Sequence, residues 1–154
     1  MMFMGDISDN MDNNELLKLS FDEDERTSYG SMRILVRYPG LCSGSVYDDK
    51  DYLIDRVLKE RHKGKCRLLL TMLLRHEFEE SELRTDFLNY CIDGIVNAAY
   101  PCSVRVLCIK LACRQCRFYP ELTAELKSVL HILEKGNLSP GLATARRNVL
   151  KIIE

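Results

Sequence analysis

The sequence predicts an all-α fold, a right-handed α-α superhelix in which about three antiparallel helix pairs stack side by side. Three observations predict it. Apolar residues recur at helical spacing almost everywhere from Ser28 onward, with no sustained strand alternation and no Asn-Gly hairpin. Short Pro, Gly and Ser breaks divide this run into segments of helix length. The beginnings of the helices echo one another at a nearly fixed interval.

Taken in order, residues 1–26 read as an acidic arm. They hold eight acids (Asp6, Asp9, Asp12, Glu15, Asp22, Glu23, Asp24, Glu25) against Lys18 and Arg26. Leu16, Leu17 and Leu19 allow a turn or two of helix there, but the rest has little to bury. Deleting the arm is therefore expected to cost little stability. Tyr29 to Tyr38 predicts a first helix, a half-repeat cap, stopped at Pro39-Gly40. Residues 40–47 read as a loop. Asp48 and Asp49 stand where acids favour a helix N-terminus, and Leu53, Ile54, Val57 and Leu58 form the stripe of the helix that follows.

After Gly64 the run Cys66, Leu68, Leu69, Leu70, Met72, Leu73 and Leu74 is apolar nearly all round, so that helix must be covered on several sides. Ser81 is the expected cap of the next, with Leu83, Phe87, Leu88, Cys91, Ile92, Ile95 and Val96 facing inward. Pro101 separates it from a helix starting at Cys102 or Ser103, whose polar edge is narrow: Ser103, Lys110, Arg114 and Arg117. Pro120 opens another helix with Leu122, Leu126, Val129, Leu130 and Leu133 inside. Gly136-Asn137 reads as its stop, Ser139-Pro140 as the cap of the last helix, and Leu142, Ala145, Val149, Ile152 and Ile153 as that helix's stripe.

The pairs expected are 48–62 with 65–75, 82–99 with 102–118, and 121–134 with 141–153. Lys65-Cys66-Arg67-Leu68-Leu69 answers to Ser103-Val104-Arg105-Val106-Leu107 and, more loosely, to Thr144-Ala145-Arg146-Arg147. The matched arginines 67, 105 and 146 are 38 and 41 residues apart. Helix pairs repeating near ~40 residues have the dimensions of HEAT and armadillo units. The plain alternative is a helical bundle in which the similar helix starts are coincidental.

The segments Ser103 to Ala112, Tyr119 to Lys127 and Ser139 to Lys151 together resemble a group of short bacterial proteins with HEAT-like repeats. In that group a valine-arginine-valine helix, a Pro-Glu-Leu helix and an arginine-rich last helix follow one another. The resemblance covers roughly residues 60–154 and implies an α-solenoid. Composition and periodicity divide the chain into two parts: the acidic arm at 1–26, where it departs from that group, and a helical repeat domain at 27–154.

The chemistry the sequence offers is sparse. Cys113-Arg114-Gln115-Cys116 has C-x-x-C spacing, but a zinc site needs four ligands and a redox pair opens a helix after a strand; here the pair falls late in an apolar helix. His62, His76 and His131 share no metal-binding spacing. Gly44-Ser45-Val46 lacks the context of a nucleophile turn, and no phosphate-binding glycine loop is present. No catalytic residue, metal ligand or cofactor is therefore expected. Seven cysteines, an odd number, sit mostly in apolar helical runs, and Met1-Met2-Phe3-Met4 is too short for a secretory core. A reduced, cytoplasmic protein with no membrane span is the expectation.

Net charge is −1, yet residues 101–154 carry nine bases against four acids. Lys110, Arg114, Arg117, Arg146, Arg147 and Lys151 are the candidate residues for binding an anion or a partner. The expected function is a non-catalytic scaffold for protein–protein interaction, its partner and oligomeric state left open. The alternative is phosphate-backbone binding to nucleic acid through the basic C-terminal helices, as in DNA-alkylation-repair glycosylases with HEAT-like repeats. Few aromatics are available for stacking bases, and a bland reading of the same charges is solvation.

Overall fold

The chain was analysed as a computed structural model, which describes residues 13–133 and 138–154. Among these residues there are eight α-helices and no strand: α1 (Asn13–Leu19), α2 (Glu25–Arg37), α3 (Lys50–Lys59), α4 (Lys63–Leu74), α5 (Thr85–Val96), α6 (Cys102–Cys116), α7 (Pro120–Leu133) and α8 (Pro140–Ile153). Met1 to Asp12, with three of the arm's acids, and the expected stop at Gly136-Asn137 lie outside the described residues.

The helices begin where local chemistry supplies a cap. The Asp24 carboxylate accepts from the Thr27 amide at 3.0 Å and starts α2. Asp49 accepts from the Asp51 amide at 3.0 Å for α3, and the Ser139 hydroxyl accepts from Leu142 at 3.3 Å for α8. His62 starts α4 with its ring, Nδ1 accepting from the Lys65 amide at 3.1 Å. Ser81 does not cap α5. Residues Glu80–Glu82 form a 3-10 turn, and the helix waits until Thr85. Phe78 explains the delay, because it is buried and stacks on Phe87 with centroids 6.3 Å apart, holding the incoming chain against the core. The loop expected at 40–47 contains two short 3-10 turns, Pro39–Cys42 and Val46–Asp48.

Packing sorts the helices into two layers. α2, α4, α6 and α8 each pack on the next, and α1, α3, α5 and α7 each pack on the helix that follows them. The units are thus α1/α2, α3/α4, α5/α6 and α7/α8, stacked as an α-solenoid. Side-chain bonds between neighbouring units repeat the period of the sequence. Arg67 reaches the Tyr29 hydroxyl 38 residues back at 3.3 Å, Arg117 reaches the Phe78 carbonyl 39 back at 3.0 Å, and the Tyr119 hydroxyl reaches the Glu80 carbonyl 39 back at 3.1 Å. Lys65 pairs with Glu25 and Arg114 with the Leu74 carbonyl, each across 40 residues. A near-constant offset from the start of the helices to their ends requires that the second helices run parallel. In a bundle around one axis, neighbours would not keep that offset.

The core is continuous through all four units. α4 buries Lys65, Cys66, Leu68, Leu69, Leu70, Met72 and Leu73, because α2, α3 and α6 cover it from three sides. α6 is enclosed likewise by α4, α5, α7 and α8. Arg105 Nε donates to the Ile95 carbonyl at 3.0 Å, and Arg146 Nε to the Leu130 carbonyl at 2.7 Å. In both units an arginine of the second helix thus satisfies a carbonyl in the last turn of the first, where orphan acceptors accumulate.

The N-terminal boundary differs from the expectation. The division after residue 26 falls inside α2, and the described residues before it, 13–24, pack on the domain through Leu16, Ser20 and Phe21. Leu16 and Ser20 are buried, Ser20 Oγ lies 2.7 Å from the Tyr47 hydroxyl, and Phe21 stacks on Tyr47 at 5.5 Å. Arg56 completes the cluster, donating to the Tyr47 hydroxyl at 2.6 Å and standing over the Phe21 ring at 5.1 Å. α2 is consequently the second helix of a short first unit and not a lone cap.

Candidate anion-binding face

Charge divides between the two layers. The second helices α2, α4, α6 and α8 hold twelve Lys or Arg and one acid, Glu25. The first helices α1, α3, α5 and α7 hold five bases and seven acids. A net charge near zero therefore conceals a molecule with one basic layer and one weakly acidic layer, an arrangement that generates a directed field.

Helical geometry sets which bases face outward. On α2, residues 28, 31, 32 and 35 are buried, so Arg26, Arg33 and Arg37 project from the opposite side, and all three are exposed. On α4, Lys63 is exposed and Arg67 half-buried on the outward side, and Arg75 is exposed just past the helix end. On α6 the outward edge is Lys110 and Arg114, with Arg117 following, and all three are exposed. On α8 it is Arg147 and Lys151, also exposed.

Of the six candidate residues read from the sequence, Lys110, Arg147 and Lys151 stand on this face with their charges free of any carboxylate among the described residues. Lys110 lines a shallow groove of about 410 Å³ between α6 and α8, across from Thr144 and Asn148. Arg114 and Arg117 are on the same face but anchored: Arg114 on the carbonyls of Leu74 and His76, the latter at 3.4 Å, and Arg117 on that of Phe78. Arg146 differs from the others. It is half-buried, and its guanidinium turns inward to tie α8 to α7.

The N-terminal half of the face was not among those six. Arg37, Arg75 and Arg114 fall 38 and 39 residues apart and close the last turns of three successive second helices. A second groove, of about 260 Å³ and lined by Gly30, Arg33, Ile34 and Arg37, lies on α2. The recurrence was present in the sequence, but matching units on Arg67, Arg105 and Arg146 left the turn-end arginines out of view.

Five of the seven cysteines are buried packing residues, Cys113 is half-buried and Cys102 is exposed. Cys91, Cys108 and Cys116 are buried, and burial pushes the Cys116 thiol up to about 12 and that of Cys91 well above its ordinary value. Burial raises the half-buried Cys113 as well. A thiol so protonated is a poor nucleophile. Among the described residues no three His, Cys, Asp or Glu side chains are grouped to hold a metal ion, and no helix is long and apolar enough to cross a membrane.

No curated protein and no solved structure matches the chain. A family model described as a HEAT repeat domain matches residues 3–153, nearly the whole length. The stacked helix pairs, the parallel second helices and the 38-to-40-residue ladder are the architecture such a model encodes, and the chain belongs to the HEAT repeat family.

Proposed function

We propose that this chain is a non-catalytic scaffold that engages a partner protein through the outward face of α2, α4, α6 and α8. Repeat domains of this family are typically non-catalytic scaffolds used for protein interaction. The observation that carries the reading further is the charge division: bases gather on the second-helix layer while the first helices balance acids against bases. Like-charge crowding on one layer costs self-repulsion, which a complementary partner relieves. Stacked units make the face long and stiff, so its bases are held in register before any partner arrives.

The test is affinity capture from an extract of the source cells with three full-length baits. These are the natural chain, a second-layer reversal (Arg33→Glu, Lys110→Glu, Lys151→Glu) and a first-layer reversal (Lys18→Glu, Lys59→Glu, Lys127→Glu). The two variants change net charge equally. Specific partners held by the natural chain and the first-layer variant, and lost by the second-layer variant, support the assignment. Identical partners on all three baits, or none on any, contradict it.

A further inference from the structure

Resting on the scaffold reading above, we infer that the second-helix face takes an extended acidic peptide segment of a partner protein, laid across the four parallel helices. Four features of the face select that chemistry.

The first is unspent positive charge. None of Arg33, Arg37, Arg75, Lys110, Arg147 and Lys151 has a carboxylate within ion-pair distance among the described residues. Elsewhere the molecule does pair its bases: Lys50 with Glu82 at 2.5 Å, and Arg84 with Asp55 at 2.7 Å and Asp86 at 2.8 Å. Carboxylates are available in the chain, yet the four second helices carry one, Glu25, which is taken up by Lys65 at their N-terminal ends.

The second is the direction of the helices. All four N-termini lie along one edge, and their amide dipoles add positive potential there. The opposite edge carries both signs, with Arg37, Arg75 and Arg114 at the helix ends and acids in the segments beyond them. The segments that follow α2 and α4 expose Asp48, Asp49, Glu77, Glu79 and Glu80, and the Arg117 bond to Phe78 and the Tyr119 bond to Glu80 place the latter segment beside the end of α6. The bases thus run the length of the helices, about 18–22 Å for 12 to 15 residues, with the acids beyond their ends. A nucleic-acid duplex, about as wide as that and anionic all round, would bring phosphates against those acids. An extended peptide fits between the edges.

The third is the lack of a stacking platform. Tyr29 is the aromatic side chain set between the bases of α2 and α4. It is half-buried, with Arg33 5.8 Å from its ring centre and Arg67 on its hydroxyl. Single-stranded nucleic acid draws much of its affinity from aromatic faces, and the four second helices carry Tyr29 alone, with Tyr38 exposed just past the end of α2.

The fourth is shape. The two grooves on this layer each combine a base with an apolar floor: Arg33 with Ile34, and Lys110 with Val106 and Ala145. Such sites suit aliphatic side chains interspersed with acids. Helices spaced about 8–10 Å apart make the layer about 30 Å across, the reach of about nine or ten extended residues.

The experiment is fluorescence anisotropy of the full chain with two labelled probes, a glutamate-rich peptide of about ten residues and a DNA duplex of about ten base pairs. The inference predicts that the peptide binds more tightly than the duplex. Its affinity falls about tenfold or more between about 50 and 200 mM NaCl. The second-layer reversal abolishes binding with helical content unchanged, and the first-layer reversal leaves it within about threefold. Tighter binding of the duplex would assign the face to nucleic acid and overturn the inference. So would no binding of either probe, or equal losses in both variants. Peptide failure alongside loss of captured partners by the second-layer bait removes only the acidic chemistry. Retention of those partners by that bait removes the scaffold face itself.

Discussion

A methyl group placed on Gly94 would stand 2.7 Å from the Sγ of Cys108, closer than packed atoms approach. The contact shows how tightly α5 and α6 close on each other in the third unit, and why a glycine sits inside a buried helix. Gly94→Ala should gain about 1 kcal/mol of helix propensity yet lose more to overpacking, for a net destabilisation of about 1–2 kcal/mol. Cys108→Ala in the same chain removes the obstructing sulfur and should recover part of the loss. A double-mutant cycle by urea unfolding measures this; additive losses would contradict the contact.

Leu16 tests whether the first unit is docked. It is buried beneath α1, although α1 has only seven residues. Leu16→Ala should cost about 2–3 kcal/mol in chemical unfolding, as a core leucine does. A loss below about 0.5 kcal/mol, the range of surface changes, would return residues 13–24 to the status of a solvated arm.

Lys65 and Glu25 form an unequal pair. The lysine is buried and the glutamate largely exposed. Removing the glutamate strands a cation in the core, whereas Lys65→Met replaces the cation with an apolar chain that suits its surroundings. Thermal unfolding should therefore rank Glu25→Gln below Lys65→Met in Tm. The reverse order would mean that the pair stabilises through its attraction and not through rescue of the buried charge.

Stability should decline at both ends of the pH scale. Asp24 is held below the usual carboxylate range by the Thr27 hydroxyl and amide, Glu25 by Lys65, Glu82 by Lys50 and Asp86 by Arg84. Each binds a proton less readily folded than unfolded. Their contribution is complete above the unfolded value near pH ~4 and is lost as pH falls through the folded values. The buried thiols of Cys91 and Cys116 are shifted upward by burial, so their contribution is complete below the unfolded value near ~8.5 and is lost as pH rises above it. A Tm that holds from about pH 5 to 8 and falls on either side is expected. A Tm that rises below pH ~4 would contradict the carboxylate contacts.

The three C-terminal helix pairs were legible in the sequence because the stripes at Leu53–Leu58, Leu69–Leu73, Phe87–Ile95 and Val104–Ala112 need long periodic faces, and periodicity is what a sequence displays. The short helix α1 was read from Leu16, Leu17 and Leu19, but its docking was not, since a helix with one buried residue leaves no period. The start of α5 was misplaced because Phe78 is fixed by a ring 9 residues further on, not by its neighbours. Of the basic face, the bases on α6 and α8 could be read from their helix edges. Arg33, Arg37 and Arg75 join them only once the units are stacked, and the inward turn of Arg146 depends on a carbonyl of a different helix.

Backbone amide chemical-shift mapping during titration with the glutamate-rich peptide tests the central claim most directly, because it reports which layer is touched. Shifts should cluster at Arg33, Arg67, Lys110 and Lys151 on the second helices and leave the outer surfaces of α3, α5 and α7 unchanged. Shifts concentrated on those first helices, or none at saturating peptide, would contradict the assignment of the second-helix layer as the binding face.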